Sequence, residues 1–280
     1  MFKSNWKNCG NWRQWAVSPM LQYSKQADER REAGPLECWC LHGAVGGAAD
    51  WRGVAKRLAA AAIGSRAVDL WRFLECVPMT LPEFGTALNA EAGGEVFRGS
   101  GRALLGYSMG GRMALHALLA ANPPWQVAVL VSTHPGLESA AERTARQSAD
   151  AAWAAQAFGG DWPGFLAAWN AQPILGSTAI RDDAAARHLV ARRREVARSF
   201  IDWSLGSQLP LWQRLAEITI PVLWIAGEGD EKFRALAERA AQLSPQAQVA
   251  LAPAAGHRVP WETEAWFADT VARFLKFGTL

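Results

Sequence analysis

Six short, mostly apolar runs alternate with longer helix-like stretches, and this alternation constrains the fold of the chain more than any other feature. The strand candidates are residues 36–41, 67–70, 103–105, 127–132, 221–226 and 249–252. Helical patterns between and after them include residues 50–62, 110–121, 232–242 and 262–274. Strands that alternate with helices predict an α/β protein whose mostly parallel sheet is covered by helices on both faces.

The strand candidates stop between about residues 137 and 210, where the sequence becomes helical and charged. Ligands of open parallel sheets bind beyond the carboxyl ends of the strands. We therefore expect residues 138–210 to form an all-helical cap over a core made of residues 35–137 and 211–280. Residues 1–34 are polar and precede the first strand candidate, so we interpret them as an N-terminal extension.

Composition excludes several classes of partner. The 280 residues are half apolar, and 29 basic against 26 acidic residues give a net charge of only +3, which is too even to predict a nucleic-acid or membrane partner. No apolar run approaches the ~20 residues of a membrane span, and the N-terminus lacks an apolar signal core. Four cysteines without metal-site spacing predict reduced thiols in a cytoplasmic protein. The oligomeric state stays open.

The segment Gly106-Tyr107-Ser108-Met109-Gly110 follows one apolar run and precedes a helical one. A serine between two glycines at a strand-to-helix junction fits a sharp turn, because glycine permits close backbone packing that a Cβ would block. The pattern therefore predicts that Ser108 is a reactive hydroxyl at such a turn.

A serine hydroxyl reacts weakly unless a histidine accepts its proton and an acid orients that histidine. In folds with this turn the chain order is serine, acid, histidine. Asp230 follows the fifth apolar run and His257 follows the sixth. We therefore predict a catalytic triad of Ser108, Asp230 and His257, with Glu228 as the alternative acid.

An oxyanion hole needs two backbone N–H groups, one from the residue after the reactive serine and one from a loop after an earlier strand. The first donor would be Met109. The loop at residues 41–47 (LHGAVGG) follows the first apolar run, and we predict Ala44 as the second donor.

The segment Leu41-His42-Gly43, the turn at Ser108, Asp230 and His257 together resemble the α/β-hydrolase superfamily. The resemblance implies an α/β-hydrolase fold with a helical cap. It does not fix the reaction, because this scaffold carries many chemistries.

Three further features resemble one family, the 2-succinyl-6-hydroxy-2,4-cyclohexadiene-1-carboxylate synthases of menaquinone biosynthesis. They are Arg112 after the turn, the segment HPGL at 134–137 and the block GEGDEKF at 227–233. Members of this family use the triad to remove a proton and expel pyruvate from a cyclohexene substrate. The chain departs from the family at residues 71–78 (WRFLECVP), where proline-glycine-histidine-glycine is usual, and in its N-terminal extension.

The resemblance implies a small substrate with several carboxylates, each of which needs a counter-charge on leaving water. The planar guanidinium of arginine suits a carboxylate. The arginine trio of the family maps onto Arg112, Arg146 and Arg193, and a one-residue shift would select Arg192 or Arg194 instead.

In the implied lyase reaction, Ser108 polarised by His257 removes a ring proton, and the two backbone N–H groups stabilise the developing charge. Tyr107 would add a hydroxyl and Trp169 a wall against the ring. We expect no metal and no organic cofactor.

Two other functions remain open at this point. One is a serine hydrolase of an ester, thioester or carbon–carbon bond in a small carboxylated metabolite. The other is a non-catalytic binding protein.

Overall fold

The computed structural model describes residues 36–94, 101–176 and 188–280. Its sheet has six strands: β1 (Glu37–Leu41), β2 (Gly64–Val68), β3 (Arg102–Tyr107), β4 (Val127–Val131), β5 (Val222–Gly227) and β6 (Ala247–Ala252). Their order is β2-β1-β3-β4-β5-β6, and every neighbouring pair is parallel. The predicted parallel sheet is confirmed.

The α-helices in the described ranges are α1 (Arg52–Ala60), α2 (Leu81–Gly94), α3 (Met109–Leu118), α4 (Ala140–Gly159), α5 (Trp162–Asn170), α6 (Arg193–Asp202), α7 (Glu231–Leu243), α8 (Val259–Glu262) and α9 (Glu264–Phe277). Short 3₁₀ helices span Ala48–Trp51, Leu70–Leu74, Pro173–Leu175, Leu189–Arg192 and Trp212–Glu217. Side-chain caps fix where some of these helices begin. The Asp161 carboxylate, for example, accepts from Gly164 N at 2.7 Å before α5.

Two apolar layers cover the two faces of the sheet. Side chains alternate along β1, so that Trp39 and Leu41 join one buried cluster while Cys38 and Cys40 join the other. The first cluster continues into α2 and α3 and includes side chains of α4, α5 and α6, whereas α1 and α9 cover the second face. One face of the sheet therefore shares its apolar core with the helices that follow β4.

All six predicted strands are present at the expected positions, but some of their boundaries differ from the prediction. Strand β2 begins at Gly64 rather than at residue 67. Its first residues, Gly64 to Arg66, are not apolar, and among the described strands β2 pairs with β1 alone, at an edge of the sheet. The described residues of the predicted cap, 138–176 and 188–210, form helices joined by turns and contain no strand. The predicted extension at residues 1–34 lies outside the described residues.

The described cysteines fall into two classes. Cys38 and Cys40 are free thiols in the core, but Cys76 is disulfide-bonded, so the expectation of reduced cysteines is wrong for Cys76. None of the described helices is long and apolar enough to cross a bilayer. Over the same residues no cluster of three or more His, Cys, Asp or Glu side chains could hold a metal ion.

The strand order locates a crevice. The chain leaves β1 to form β2 on one side and then returns to form β3 on the other side of β1. Ligands bind at such a reversal, outside the carboxyl ends of the two strands. The loop at residues 42–47 follows β1, and Ser108 follows β3.

Candidate active site

Ser108 lies in a strained turn between β3 and α3. Its φ of 53° and ψ of −109° are unusual for a residue with a Cβ. A Cβ on Gly106 would lie 2.4 Å from the carbonyl oxygen of Gly110, and a Cβ on Gly110 would lie 2.3 Å from that of Leu41. The two glycines are therefore required for the close packing that holds this turn.

A chain of hydrogen bonds joins the three predicted triad residues. His257 Nε2 lies 3.1 Å from Ser108 Oγ, and His257 Nδ1 lies 2.8 Å from Asp230 Oδ2. The loops after β6 and β5 carry His257 and Asp230, which are 5% and 8% exposed. Asp230 Oδ1 also accepts from Phe233 N at 3.2 Å, which orients the carboxylate and caps α7. This geometry permits proton transfer from the serine to the histidine.

The alternative acid, Glu228, is exposed. Its Oε2 accepts from Ala254 N at 3.4 Å, whereas His257 Nδ1 is bonded to Asp230. The structure therefore brings Asp230, and not Glu228, to the histidine.

Ser108 and His257 line a cavity of about 270 Å³ between the sheet and the helices that follow β4. Ala44 and Met109, the predicted oxyanion donors, line the same cavity. The loop after β1 and the first residue of α3 thus meet beside the serine.

Arg112 contributes a buried guanidinium to this cavity. Its Nη2 donates to Trp203 O at 2.7 Å and its Nη1 to Gln208 Oε1 at 3.2 Å. Burial, together with repulsion from Arg146, lowers the pKa of Arg112 to about 9. The group is therefore still positively charged at neutral pH, and its position is fixed by neutral acceptors.

Arg146, on α4, lines the cavity with a side chain that is 40% exposed. Its Nε donates to Asp150 Oδ1 at 2.8 Å, and the buried Asp150 also accepts from Ser204 Oγ at 2.7 Å. Asp150 lines the cavity but was not among the predicted site residues, although its spacing of four from Arg146 on a helix is typical of an ion pair. Two guanidinium groups against one carboxylate suit an anionic ligand.

Trp169 lines the cavity, and Trp153 lies beside it with ring centroids 5.3 Å apart. His134, at the exit from β4, also lines the cavity and was not predicted to do so. Burial, with lesser effects of Lys232 and Arg112, lowers the pKa of His134 to about 4. His134 Nδ1 accepts from Gly136 N at 3.0 Å, so at neutral pH the imidazole is neutral with its proton on Nε2.

The predicted third arginine is not brought to this cavity. Arg193 donates from Nε and Nη2 to Ala157 O at 3.0 and 2.9 Å, and from Nη2 to Gly160 O at 2.7 Å. Its guanidinium therefore caps the carbonyl end of α4. The alternatives do not line the cavity either, because Arg192 pairs with Asp69 and Glu75 and Arg194 is exposed.

Tyr107 is buried but does not line the cavity. Its side chain belongs to the opposite face of the sheet, where its ring lies 4.8 Å from Trp261 and 5.7 Å from His257. The structure thus gives Tyr107 a packing contact with the histidine in place of the predicted contact with substrate.

Comparisons with known proteins match most of the chain. The profile of the alpha/beta hydrolase family matches residues 40–270. A putative 2-succinyl-6-hydroxy-2,4-cyclohexadiene-1-carboxylate synthase of Bacillus subtilis is 35% identical over 177 residues, a match that spans 61% of this chain and 65% of the relative. The 2-succinyl-6-hydroxy-2,4-cyclohexadiene-1-carboxylate synthase of Pectobacterium atrosepticum is 33% identical over 261 residues, which cover 86% of this chain and 95% of the relative.

Among solved structures, that of MenH from S. aureus is similar to this chain with a TM-score of 0.78. The match covers 90% of this chain and 97% of the other at 23% identity. At this identity the likeness shows a common fold.

Proposed function

The chain belongs to the alpha/beta hydrolase family and, within it, to the 2-succinyl-6-hydroxy-2,4-cyclohexadiene-1-carboxylate synthases, and from this premise we propose that it is a lyase that eliminates pyruvate from a polycarboxylated cyclohexene substrate. The product would be 2-succinyl-6-hydroxy-2,4-cyclohexadiene-1-carboxylate, an intermediate of menaquinone biosynthesis. One observation carries the proposal: the hydrogen-bonded chain of Ser108, His257 and Asp230 ends in a cavity that also holds two guanidinium groups.

In the proposed reaction, His257 Nε2 accepts the proton of Ser108, and the serine oxygen removes a proton from a ring carbon. Asp230 stabilises the imidazolium that forms. As the carbon–oxygen bond to the pyruvate enol breaks, the ring gains its second double bond, and the proton held by His257 becomes available to the departing enol. The backbone N–H groups of Ala44 and Met109 would stabilise the enolate-like charge.

The walls of the cavity support an anionic, cyclic substrate. Carboxylates lose hydration in a partly closed site and need charge-assisted hydrogen bonds in exchange. Arg112 and Arg146 would provide them. The tryptophans at 153 and 169 would pack against the apolar faces of the ring. Every proposed step uses groups of the chain itself, so the proposal includes no cofactor.

The test is incubation of the protein with the enzymatically generated pathway intermediate, with a simple aryl ester as a control substrate. The lyase predicts pyruvate and conjugated diene in equal amounts, both lost in Ser108→Ala. Hydrolysis of the ester without any pyruvate from the intermediate would support the serine-hydrolase alternative. Absence of both activities in folded protein would support a non-catalytic binding protein. Either of these results overturns the proposal.

A further inference from the structure

The segment in which this chain departs from its family packs directly behind the loop at residues 42–47. Leu70–Leu74 forms a 3₁₀ helix that buries Leu70, Trp71 and Leu74. Trp71 is 1% exposed, and its indole Nε1 donates to the carbonyl oxygen of Gly46 at 2.9 Å. The C-terminal end of the loop is therefore held by a hydrogen bond from Trp71.

The N-terminal end of the loop is connected to the same 3₁₀ helix through His42, which is completely buried. His42 Nε2 accepts from Leu70 N at 3.3 Å, so Nε2 carries no proton. The proton then lies on Nδ1, which donates to Gly43 O at 2.9 Å. The His42 and Trp71 rings also contact each other, with centroids 5.0 Å apart.

Between these two attachments the backbone is strained. Val45 has a φ of 51°, in the left-handed region that a β-branched side chain rarely adopts. Such a conformation persists only where the surrounding structure holds it. Gly43 also packs closely, since a Cβ there would lie 2.7 Å from the ring of Tyr107. Ala44, the candidate oxyanion donor, lies next to the strained residue.

We propose that Trp71 and His42 are positioning residues that hold residues 43–46 so that the N–H of Ala44 is presented to the cavity. The inference rests on the proposed function only in requiring that a Ser108-dependent reaction develops negative charge beside that N–H. Without the indole hydrogen bond, the peptide units around Val45 can relax and the Ala44 N–H turns away. The variant would lose stabilisation of the transition state and keep its affinity for substrate, because Arg112 and Arg146, which would bind substrate, are unchanged.

The test compares Trp71→Phe with Trp125→Phe. Trp125 matches Trp71 because it is also buried and also donates from Nε1, but its acceptor is Asn89 Oδ1 on α2, at 2.7 Å, and not the loop at residues 42–47. Trp71→Phe should lower kcat by about 10- to 100-fold, which is less than the loss of a whole oxyanion donor, with KM close to that of the wild type. Trp125→Phe should leave both constants unchanged. Thermal unfolding of the two variants controls for stability.

If Trp71→Phe does not fold, a second pair of variants tests the same positioning role. His42→Gln keeps a side-chain acceptor for Leu70 N, whereas His42→Leu has a similar volume and no acceptor. We expect His42→Gln to retain more kcat than His42→Leu at a similar KM. Equal losses in the two variants would overturn the proposal.

The reaction to follow is whichever one Ser108→Ala abolishes, lyase or ester hydrolysis. Turnover that survives in Ser108→Ala would refute the proposed function itself. Turnover that Ser108→Ala abolishes, but that Trp71→Phe lowers no more than Trp125→Phe, would refute the positioning role alone.

Discussion

Replacement of Arg146 by alanine tests whether the cavity binds carboxylates. The substitution removes one of the two guanidinium groups that line the cavity. It also leaves Asp150, whose side chain is 3% exposed, without its ion-pair partner. Ser204 Oγ still donates to Asp150, so this carboxylate keeps its place beside the substrate site. A substrate carboxylate would then lose an attraction and meet a repulsion.

The size of the effect follows from the exposure of Arg146. A hydrogen bond to a charged group contributes about 1.5–3 kcal/mol, and the 40% exposure of this side chain puts its contribution at about 1.5 kcal/mol. Repulsion from Asp150 adds roughly 0.5 kcal/mol after solvent screening. A total of about 2 kcal/mol corresponds to an increase in KM of about 30-fold. We expect kcat to change little, because the lost interaction is common to the bound substrate and the transition state.

The assay is steady-state pyruvate release by three variants and the wild type. Arg146→Ala combined with Asp150→Ala should show a lower KM than Arg146→Ala alone, because the unpaired carboxylate is gone. Arg193→Ala is the matched control. Its guanidinium donates to the carbonyl end of α4 and does not line the cavity, so this variant should lower Tm and leave KM unchanged. An unchanged KM in Arg146→Ala, or an equal rise in Arg193→Ala, would refute the reasoning.

Two further predictions concern the acid and a buried histidine. Asp230→Asn should lower kcat by about 10⁴-fold, because an amide does not hold the required histidine tautomer, whereas Glu228→Gln should leave kcat unchanged in the same assay. Burial lowers the pKa of His116 from 6.5 to about 4, so between these pH values the unfolded chain binds more protons and wild-type stability falls as the pH falls. His116→Leu has no imidazole to titrate, so its stability does not fall in this way. In urea unfolding, the free energy of unfolding of His116→Leu relative to that of the wild type should rise by about 2 kcal/mol as the pH is lowered from about 7.5 to 4.5. A constant difference would exclude His116 as the source.

The residues that the structure joins beside the cavity could be predicted because each follows an apolar run. In a parallel sheet the carboxyl ends of neighbouring strands meet at one edge, so positions directly after strands identify Ser108, Asp230 and His257 without knowledge of the loops. The preference for Asp230 over Glu228 could also be stated in advance. Only coordinates give the hydrogen bond to His257.

The remaining site residues depend on tertiary packing. Arg193 begins α6 directly after the 3₁₀ helix Leu189–Arg192. A 3₁₀ turn changes which side of the following helix a given residue occupies. The sequence alone therefore does not choose among Arg192, Arg193 and Arg194. No local pattern indicates that Asp150 or His134 is buried. Tyr107 could have been assigned correctly, because it shares the side-chain period of β3 with Leu105 and lies on the same face.

The role of Ser108 as a base is tested most directly by a single turnover with substrate deuterated at the ring carbon that loses its proton. We predict that diene and pyruvate form together, more slowly from the deuterated substrate, and that acid-quenched protein carries no covalent adduct on Ser108. An unchanged rate together with an acyl group on Ser108 would contradict it.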